Sequence, residues 1–286
     1  MSYETPPATA GFAAWIGRTE QSDDPLATTQ ALAAAALFDL DPSPLCEGAP
    51  LPPLWHWFYF LPRAPQAMLD EDGHPRRGGF LPPIPYPRRM FAGSRLRFHR
   101  PLAIGRPARR HATIRDVVTK TGRTGALAFV TVGLRFEQDG ATCIDEEQQI
   151  VYREPGAALA APPVQPWPEA APGASVQVVA PDPRQLFRFS ALTFNAHRIH
   201  YDRDYASRVE GYPGLVVHGP LTAMLLAALA ERTAHRRLRE FSFRVQAPLF
   251  DLAPFRLVAI PTADALQLEA QRSDGQVALT ASAAFD

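Results

Sequence analysis

Lysine is almost absent: Lys120 is the only one among 29 Lys and Arg residues. The other basic side chains are arginines, a bias that reads as coding composition rather than as a function. Basic and acidic residues balance at 29 each, so the formal net charge is zero. Without a global field the chain is not drawn to nucleic acid or to an anionic membrane surface. An anionic ligand must therefore be held by a local cluster. Cysteine is scarce too. Cys46 and Cys143 cannot staple 286 residues and do not have metal-ligand spacing. No apolar run reaches the roughly 20 residues needed to cross a bilayer. The first twenty residues, MSYETPPATAGFAAWIGRTE, lack the basic and apolar regions of a secretory signal. A cytoplasmic protein with no nucleic-acid or membrane partner is expected. What is present, 46% hydrophobic and 20% charged residues, is the composition of a folded globule.

The length suits one large domain or two of about 140 residues. The Ala/Pro-rich stretch 156–175 has no apolar period and reads as a linker between an amino-terminal half, 1–155, and a carboxy-terminal half, 176–286. In the first half, 27–40 is helix-prone, LPPLWHWFYFLP (51–62) reads as extended, 64–92 reads as irregular loop, and from Ser94 onward the apolar period becomes two. Ala128, Val130, Val132, Leu134 and Phe136 alternate with polar or small residues, the mark of a half-buried strand. The second half repeats the order: a helix from Pro183, a histidine-bearing loop, a helix over 218–236 that is apolar nearly all round, then four alternating strands. An α+β fold is expected, with two curved antiparallel sheets, each wrapped around a central helix.

An internal repeat supports two copies of one unit. Shifted by 147 residues, RFHRPLAIGRPAR (97–109) overlies RVQAPLFDLAPFR (244–256) with Arg, Pro, Leu, Pro and Arg in common. The same shift carries Asn195, His200 and Gly219 onto Gly48, Pro53 and Asp72, so a single site is expected, in the second half. The first half is expected to shape a substrate tunnel.

Candidate chemistry concentrates in two segments. NAHRIHYD supplies His197 and His200, and LVVHGPL supplies His218 just before the buried helix. Imidazole titrates near neutrality and suits acid–base work. The N–H groups that open a helix lack intrahelical partners and favour an anion or a developing oxyanion, which marks Gly219. His56, His74, His99, His111 and His235 read as satisfied core histidines.

These segments, with LPPLWHWFYFLP (51–62), GGFLPPIPYPRRMFAGSRLRFHRPLAIG (78–105), FSALTFNAHRIHYD (189–202) and YPGLVVHGPL (212–221), carry a resemblance over most of the chain. It resembles the MaoC-like, hot-dog fold hydratases and dehydratases of acyl thioesters, in their double hot-dog branch. That branch includes mitochondrial 3-hydroxyacyl-thioester dehydratases and hydratases of 3-methylfumaryl-CoA and itaconyl-CoA. The family motif Asp-x-Asn-Pro-x-His lands with His200 on its histidine, while Asn195 takes the place of the aspartate. The Val-His-Gly segment matches at Val217, His218 and Gly219.

The resemblance implies a hydro-lyase in which His200 is the principal acid–base group, Asn195 fixes the water and the Gly219 N–H polarises the thioester carbonyl. His197 or Asp202 is a second proton-handling candidate, and His218 orients the loop. Arg88, Arg89 and Arg198 are candidates for a substrate carboxylate or the phosphates of CoA. No cofactor and no metal are expected. The expected partner is an acyl-CoA, with acyl carrier protein as the alternative carrier, and the chain is a monomer or homodimer. Branched dicarboxylic acyl-CoAs lead the expected substrates. Alternatives are a fatty-acid-type 3-hydroxyacyl dehydratase, a hot-dog thioesterase and a non-catalytic acyl-binding protein.

Overall fold

The computed structural model describes residues 11–122 and 125–286. Residues 1–10, half of the segment weighed as a secretory signal, lie outside the described residues. The strands are β1 (Thr19–Asp24), β2 (Arg88–Phe98), β3 (Ala108–Gly122), β4 (Gly125–Gln138), β5 (Ala141–Arg153), β6 (Ser175–Val179), β7 (Leu238–Val245), β8 (Phe255–Pro261), β9 (Leu266–Gln271) and β10 (Val277–Phe285). The helices are α1 (Thr28–Leu37), α2 (Pro183–Leu192), α3 (Arg203–Arg208) and α4 (Gly219–Ala234). None is long and apolar enough to cross a membrane. Residues 154–174 carry neither helix nor strand beyond a turn.

The strands form one antiparallel sheet in the order β1-β3-β4-β5-β2-β7-β10-β9-β8-β6. The second five mirror the first five across the β2–β7 seam, where Ser94 pairs with Phe243 and Leu96 with Phe241. Gly93 permits that seam, because a Cβ there would lie 2.3 Å from the Phe243 carbonyl oxygen. The alternation read in β4 is the burial observed: Ala128, Val130, Val132, Leu134 and Phe136 all face the core.

α4 lies against β6 to β10 and β2, and its all-round apolar composition is matched by burial of Leu221, Met224, Leu226 and Leu229. The amino-terminal half has only a single 3-10 turn, Trp55–Phe58, at the corresponding place. This segment was expected to run extended. It turns because Leu54 adopts a left-handed φ of 67° and the Trp55 N–H closes on the Pro52 carbonyl at 3.1 Å, which lets Trp55 and Phe58 pack edge to face. Buried Glu146 fastens the turn to the sheet, accepting from His56 Nε2 at 3.0 Å, Trp57 Nε1 at 3.1 Å and Ser94 Oγ at 2.8 Å. His56 is thus a buried residue held through Nε2, while its Nδ1 has no hydrogen-bond partner among the described residues. His99 and His111 depart from the core reading: His99, just past the end of β2, and His111, on β3, lie in surface pairs with Asp145 and Glu137.

The repeat is real in backbone terms, but its offset is not constant. Phe98 and Val245 end β2 and β7, and Ala108 and Phe255 begin β3 and β8, each pair 147 residues apart. Further upstream the hydrogen bonds recur at other spacings. Leu51 N–H to Leu102 O matches Val217 N–H to Leu249 O, which sets Leu51 against Val217, 166 residues on. Leu40 N–H to Ala35 O matches Asn195 N–H to Ser190 O, an offset of 155. The structural counterparts of Asn195 and Gly219 are therefore Leu40 and Pro53, not the Gly48 and Asp72 of a uniform shift.

Candidate active site

The loop after α2 is built by local capping. Asp182 caps α2 by accepting from the Arg184 N–H at 2.7 Å, with Pro183 opening the helix. Past its end, Asn195 Oδ1 accepts the His197 backbone N–H at 3.1 Å, an Asx turn that sets the direction of the His197–His200 segment. A 3-10 turn over Arg198–His200 follows, and Asp202 caps α3 through the Tyr205 N–H at 3.0 Å.

His200 and His218 are buried and stack face to face, ring centroids 3.6 Å apart at 19°. His200 Nδ1 lies 2.7 Å from the Val216 carbonyl oxygen. A carbonyl only accepts, so Nδ1 carries the hydrogen and Nε2 of the neutral ring is left as a base. Burial drives the His200 pKa down to about 4, against the favourable bond to Val216. His218 Nε2 is 2.9 Å from Ser190 Oγ, its Nδ1 has no partner, and burial followed by the nearby His200 pushes it well below the usual histidine range. His197 stands edge-on to His200 at 5.4 Å and is likewise kept neutral, first by burial and then by its cationic and imidazole neighbours.

A fourth histidine comes from the other half. His74, read from the sequence as an ordinary core residue, lies 4.1 Å ring to ring from His197. Its Nδ1 is 2.9 Å from Asp72 Oδ2, and its backbone N–H bonds Asp72 Oδ1 at 2.8 Å. The only signal for it in the sequence was a histidine two residues after an aspartate in a Gly/Pro-rich loop. Asp72, His74 and His197 each bring a ligand atom within 4.8 Å of the others, a set that could hold a metal ion. Both Asp72 oxygens are already engaged by His74, an arrangement that fits a shared proton better.

His74, Asn195, His197, His200, His218 and Gly219 all line one cavity of about 1610 Å³ that spans both halves. Two expected residues are not brought there. Asp202 and Arg198 do not line the cavity; they pair with each other through Arg198 Nη2 and Asp202 Oδ2 at 2.8 Å, and Arg198 lies over the Tyr205 ring. Their i, i+4 spacing puts them on one half-buried side of a turn, outside the cavity lining, where each satisfies the other's charge. Arg88 lines the cavity but is committed to Glu210, with Nε 3.1 Å from the carboxylate and Nη2 2.6 Å from the backbone oxygen. Arg89 differs. It is half-buried, lines the same cavity, and its guanidinium has no hydrogen-bond or ion-pair partner among the described residues. Its charge acts on His74, His197 and Tyr152.

The cavity thus unites a neutral imidazole base, a helix opening at Gly219 whose N–H has no partner among the described residues, and a cation likewise unpaired among them. That set can activate water beside a conjugated carbonyl compound. Comparison with known proteins points the same way. The chain is 62% identical over 275 residues to the mesaconyl-C(4)-CoA hydratase of Chloroflexus aurantiacus, covering 96% of this chain and 98% of that one. A MaoC-like dehydratase from Phytophthora capsici superposes with a TM-score of 0.68 at 16% identity, over 98% and 99% of the two chains. A Mycobacterium tuberculosis protein described as a double hot-dog fold gives 0.56 at 17% identity, over 94% and 96%. The profile of the hydroxyacyl-thioester dehydratase type 2 family matches residues 54–251. With its double hot-dog fold and this match, the chain belongs to the hydroxyacyl-thioester dehydratase type 2 family and is a hydro-lyase.

Proposed function

We propose that the chain hydrates 3-methylfumaryl-CoA, the thioester called mesaconyl-C4-CoA when numbered from the other end of the acid, to a 3-hydroxy-3-methylsuccinyl thioester. The structural observation that carries the reading is Arg89, an unpaired cation in the cavity that holds the histidines. In this substrate the free carboxylate is attached to the very carbon that water attacks. Its partner must therefore stand beside the water-activating group, and Arg89 acts electrostatically on the histidines there. The relative's hydratase activity on the same thioester supports the choice.

His200 Nε2 takes a proton from water as its oxygen attacks the β-carbon. The electron pair displaced onto the thioester oxygen is met by the Gly219 N–H at the opening of α4. Asn195 acts through its Asx turn, holding His197 against His200. Base, oxyanion donor and carboxylate receptor carry the attack on the β-carbon, protonation of the α-carbon completes hydration, and neither step as drawn needs a metal or redox cofactor. All of them come from one chain, so a monomer is sufficient. CoA is the carrier favoured over acyl carrier protein, and a CoA thioester fits the cytoplasmic location expected from the sequence.

One observation favours a second reading. A cavity of about 1610 Å³ exceeds what a five-carbon acid needs, and a fatty 2-enoyl or 3-hydroxyacyl thioester would use more of it. A panel of 3-methylfumaryl-, itaconyl-, crotonyl- and long-chain 2-enoyl-CoA separates these. The expected result is fastest hydration of 3-methylfumaryl-CoA, seen as loss of conjugated-thioester absorbance without thiol release. Preference for a long chain overturns the dicarboxylate reading; thiol release would indicate hydrolysis instead.

A further inference from the structure

We propose that the amino-terminal half supplies the site's second proton-handling group: His74, held by Asp72 on the turn Leu69–Pro75, gives the α-carbon its proton. This rests on the hydration reading above and deepens it. The turn is closed by the Leu69–Pro75 bridge, by the Asp70 N–H on the His74 carbonyl at 2.7 Å and by the Gly73 N–H on the Asp70 carbonyl at 2.9 Å. It is docked against the catalytic loop without side chains intervening. Gly73 has φ +91°, and a Cβ on it would fall 1.8 Å from the Ala196 carbonyl oxygen. The Arg198 N–H bonds the Asp72 carbonyl at 2.9 Å. Only glycine permits this approach, and the approach is what brings His74 against His197.

Five imidazoles line the cavity. His56 is tied to Glu146, whereas His74, His197, His200 and His218 form one run of ring contacts, and the hydrogen-bond partners along that run differ. His200 is held by a backbone carbonyl, His218 by a hydroxyl, and His74 by a carboxylate. An imidazolium in a low-dielectric site is stabilised most by a hydrogen-bonded carboxylate, so a proton held by the cluster rests on His74. Burial opposes a charge on Asp72, yet the His74 ring and N–H and the charge of Arg77 hold its carboxyl below the usual range. Facing His74 are Asp72 on its own turn, Arg77 downstream, Arg89 on β2, and His197 and His200 across the interface. Burial, and then Arg89, keep the His74 pKa below the usual histidine value on balance, against the pull of Asp72. A substrate carboxylate paired with Arg89 cancels the first of these charges and loads the acid when the right substrate is bound.

The step balances. Water loses a proton to His200 Nε2, its oxygen bonds the β-carbon, and the π pair moves towards the thioester oxygen. The α-carbon then takes the proton from His74, and the enolate reverts to the thioester. The proton on His200 returns to His74 through the cluster, leaving one added water and no net proton.

The test is the pH profile of kcat for the wild type, Asp72→Asn, Asp72→Glu and His74→Gln, on 3-methylfumaryl-CoA and crotonyl-CoA. His74 must be protonated, so it sets the basic limb; removing its carboxylate lowers its proton affinity and moves that limb to lower pH. Asp72→Asn is expected to do so with KM little changed, and Asp72→Glu to restore the limb. His74→Gln should lower kcat by about 10²-fold, the usual size for a lost general acid, with melting temperature as the control for folding. A basic limb that stays in place in Asp72→Asn overturns the proposal, whatever happens to kcat. Failure of the wild type on 3-methylfumaryl-CoA alone overturns the substrate reading, and the pair is then judged by the same limb shift on crotonyl-CoA.

Discussion

Replacing Gly219 by proline would test the oxyanion site by copying what the other half of the molecule already has. The counterpart of Gly219 in the amino-terminal half is Pro53, whose nitrogen has no hydrogen. The backbone at 219 accepts the change. The residue opens α4, where proline's fixed φ is tolerated, and His218 before it has φ −63° and ψ 130°, the extended region that a residue preceding proline prefers. The steric cost is shared with alanine, since any Cβ at 219 meets Val245 Cγ2 at 3.2 Å. Gly219→Ala therefore controls for bulk while keeping the N–H. Loss of one oxyanion donor costs about 10²- to 10³-fold in kcat, or about 3–4 kcal/mol of transition-state stabilisation. We expect Gly219→Ala to stay within about tenfold of wild type and Gly219→Pro to fall a further 10²-fold or more, as in other oxyanion sites. Conjugated-thioester absorbance reads the rate, and the melting temperature confirms that both variants fold. A proline variant as active as the alanine variant would refute the assignment of the Gly219 N–H.

The other perturbations are expected to separate recognition, docking and stability. Arg89→Met should raise KM for 3-methylfumaryl-CoA by roughly ten- to a hundredfold, the size of a lost charge-assisted hydrogen bond, and leave KM for crotonyl-CoA near wild type; equal KM effects on both would remove Arg89 as the carboxylate receptor. Gly73→Ala should lift the turn 69–75 off Ala196, with roughly 1–3 kcal/mol from backbone strain alone. Faster hydrogen exchange at the Arg198 amide, which now bonds Asp72, together with lower kcat, would report it. Acid should weaken the fold through the buried histidines. With the His200 pKa lowered to about 4 from 6.5, the unfolded chain binds the proton first. The stability His200 contributes is thus complete above pH 6.5 and is lost as pH falls towards 4, by about 3 kcal/mol for this residue. Urea unfolding from pH 7 to 4.5 measures the slope, and His200→Gln should flatten it.

The sheet and α4 were legible because their apolar periods, two and all-round, are what a half-buried strand and an enclosed helix require. β1, Thr-Glu-Gln-Ser-Asp-Asp, carried no such period. It is an edge strand whose first three residues are exposed, so it pairs with β3 through the backbone ladder and the cross-strand ion pairs Arg109–Asp23 and Arg110–Glu20 rather than through an apolar face. β6, also at an edge, was hidden where it adjoins the irregular stretch 154–174. In the site, the segments holding His197, His200, His218 and Gly219 were legible as local motifs, and the cavity gathers them. Arg198 and Asp202 looked equally apt in sequence, but a short spacing that lets two residues meet a substrate also lets them meet each other. His74 was illegible for a different reason: its role depends on an approach between loops more than a hundred residues apart, and Gly73, which allows that approach, looks like any turn glycine.

The varying offset explains how two copies of one unit came to share a single site. Between Asn195 and Leu215 the carboxy-terminal half has 11 residues more than its counterpart, the difference between offsets of 166 and 155, in the stretch that holds His197, His200 and α3. Between Leu51 and Phe98 the amino-terminal half has 19 residues more, the difference between 166 and 147, in a stretch that includes the turn bearing Asp72 and His74. Meanwhile the positions matching Ser190, Asn195 and Gly219 are Ala35, Leu40 and Pro53, which offer no hydroxyl, no amide and no N–H. The amino-terminal half has thus lost the means to polarise a carbonyl and gained a loop long enough to reach the other half's histidines. Cutting the chain between the halves should therefore abolish activity in the carboxy-terminal fragment even though it carries His200 and Gly219. Adding back the amino-terminal fragment should restore it, and restore it poorly when that fragment carries His74→Gln.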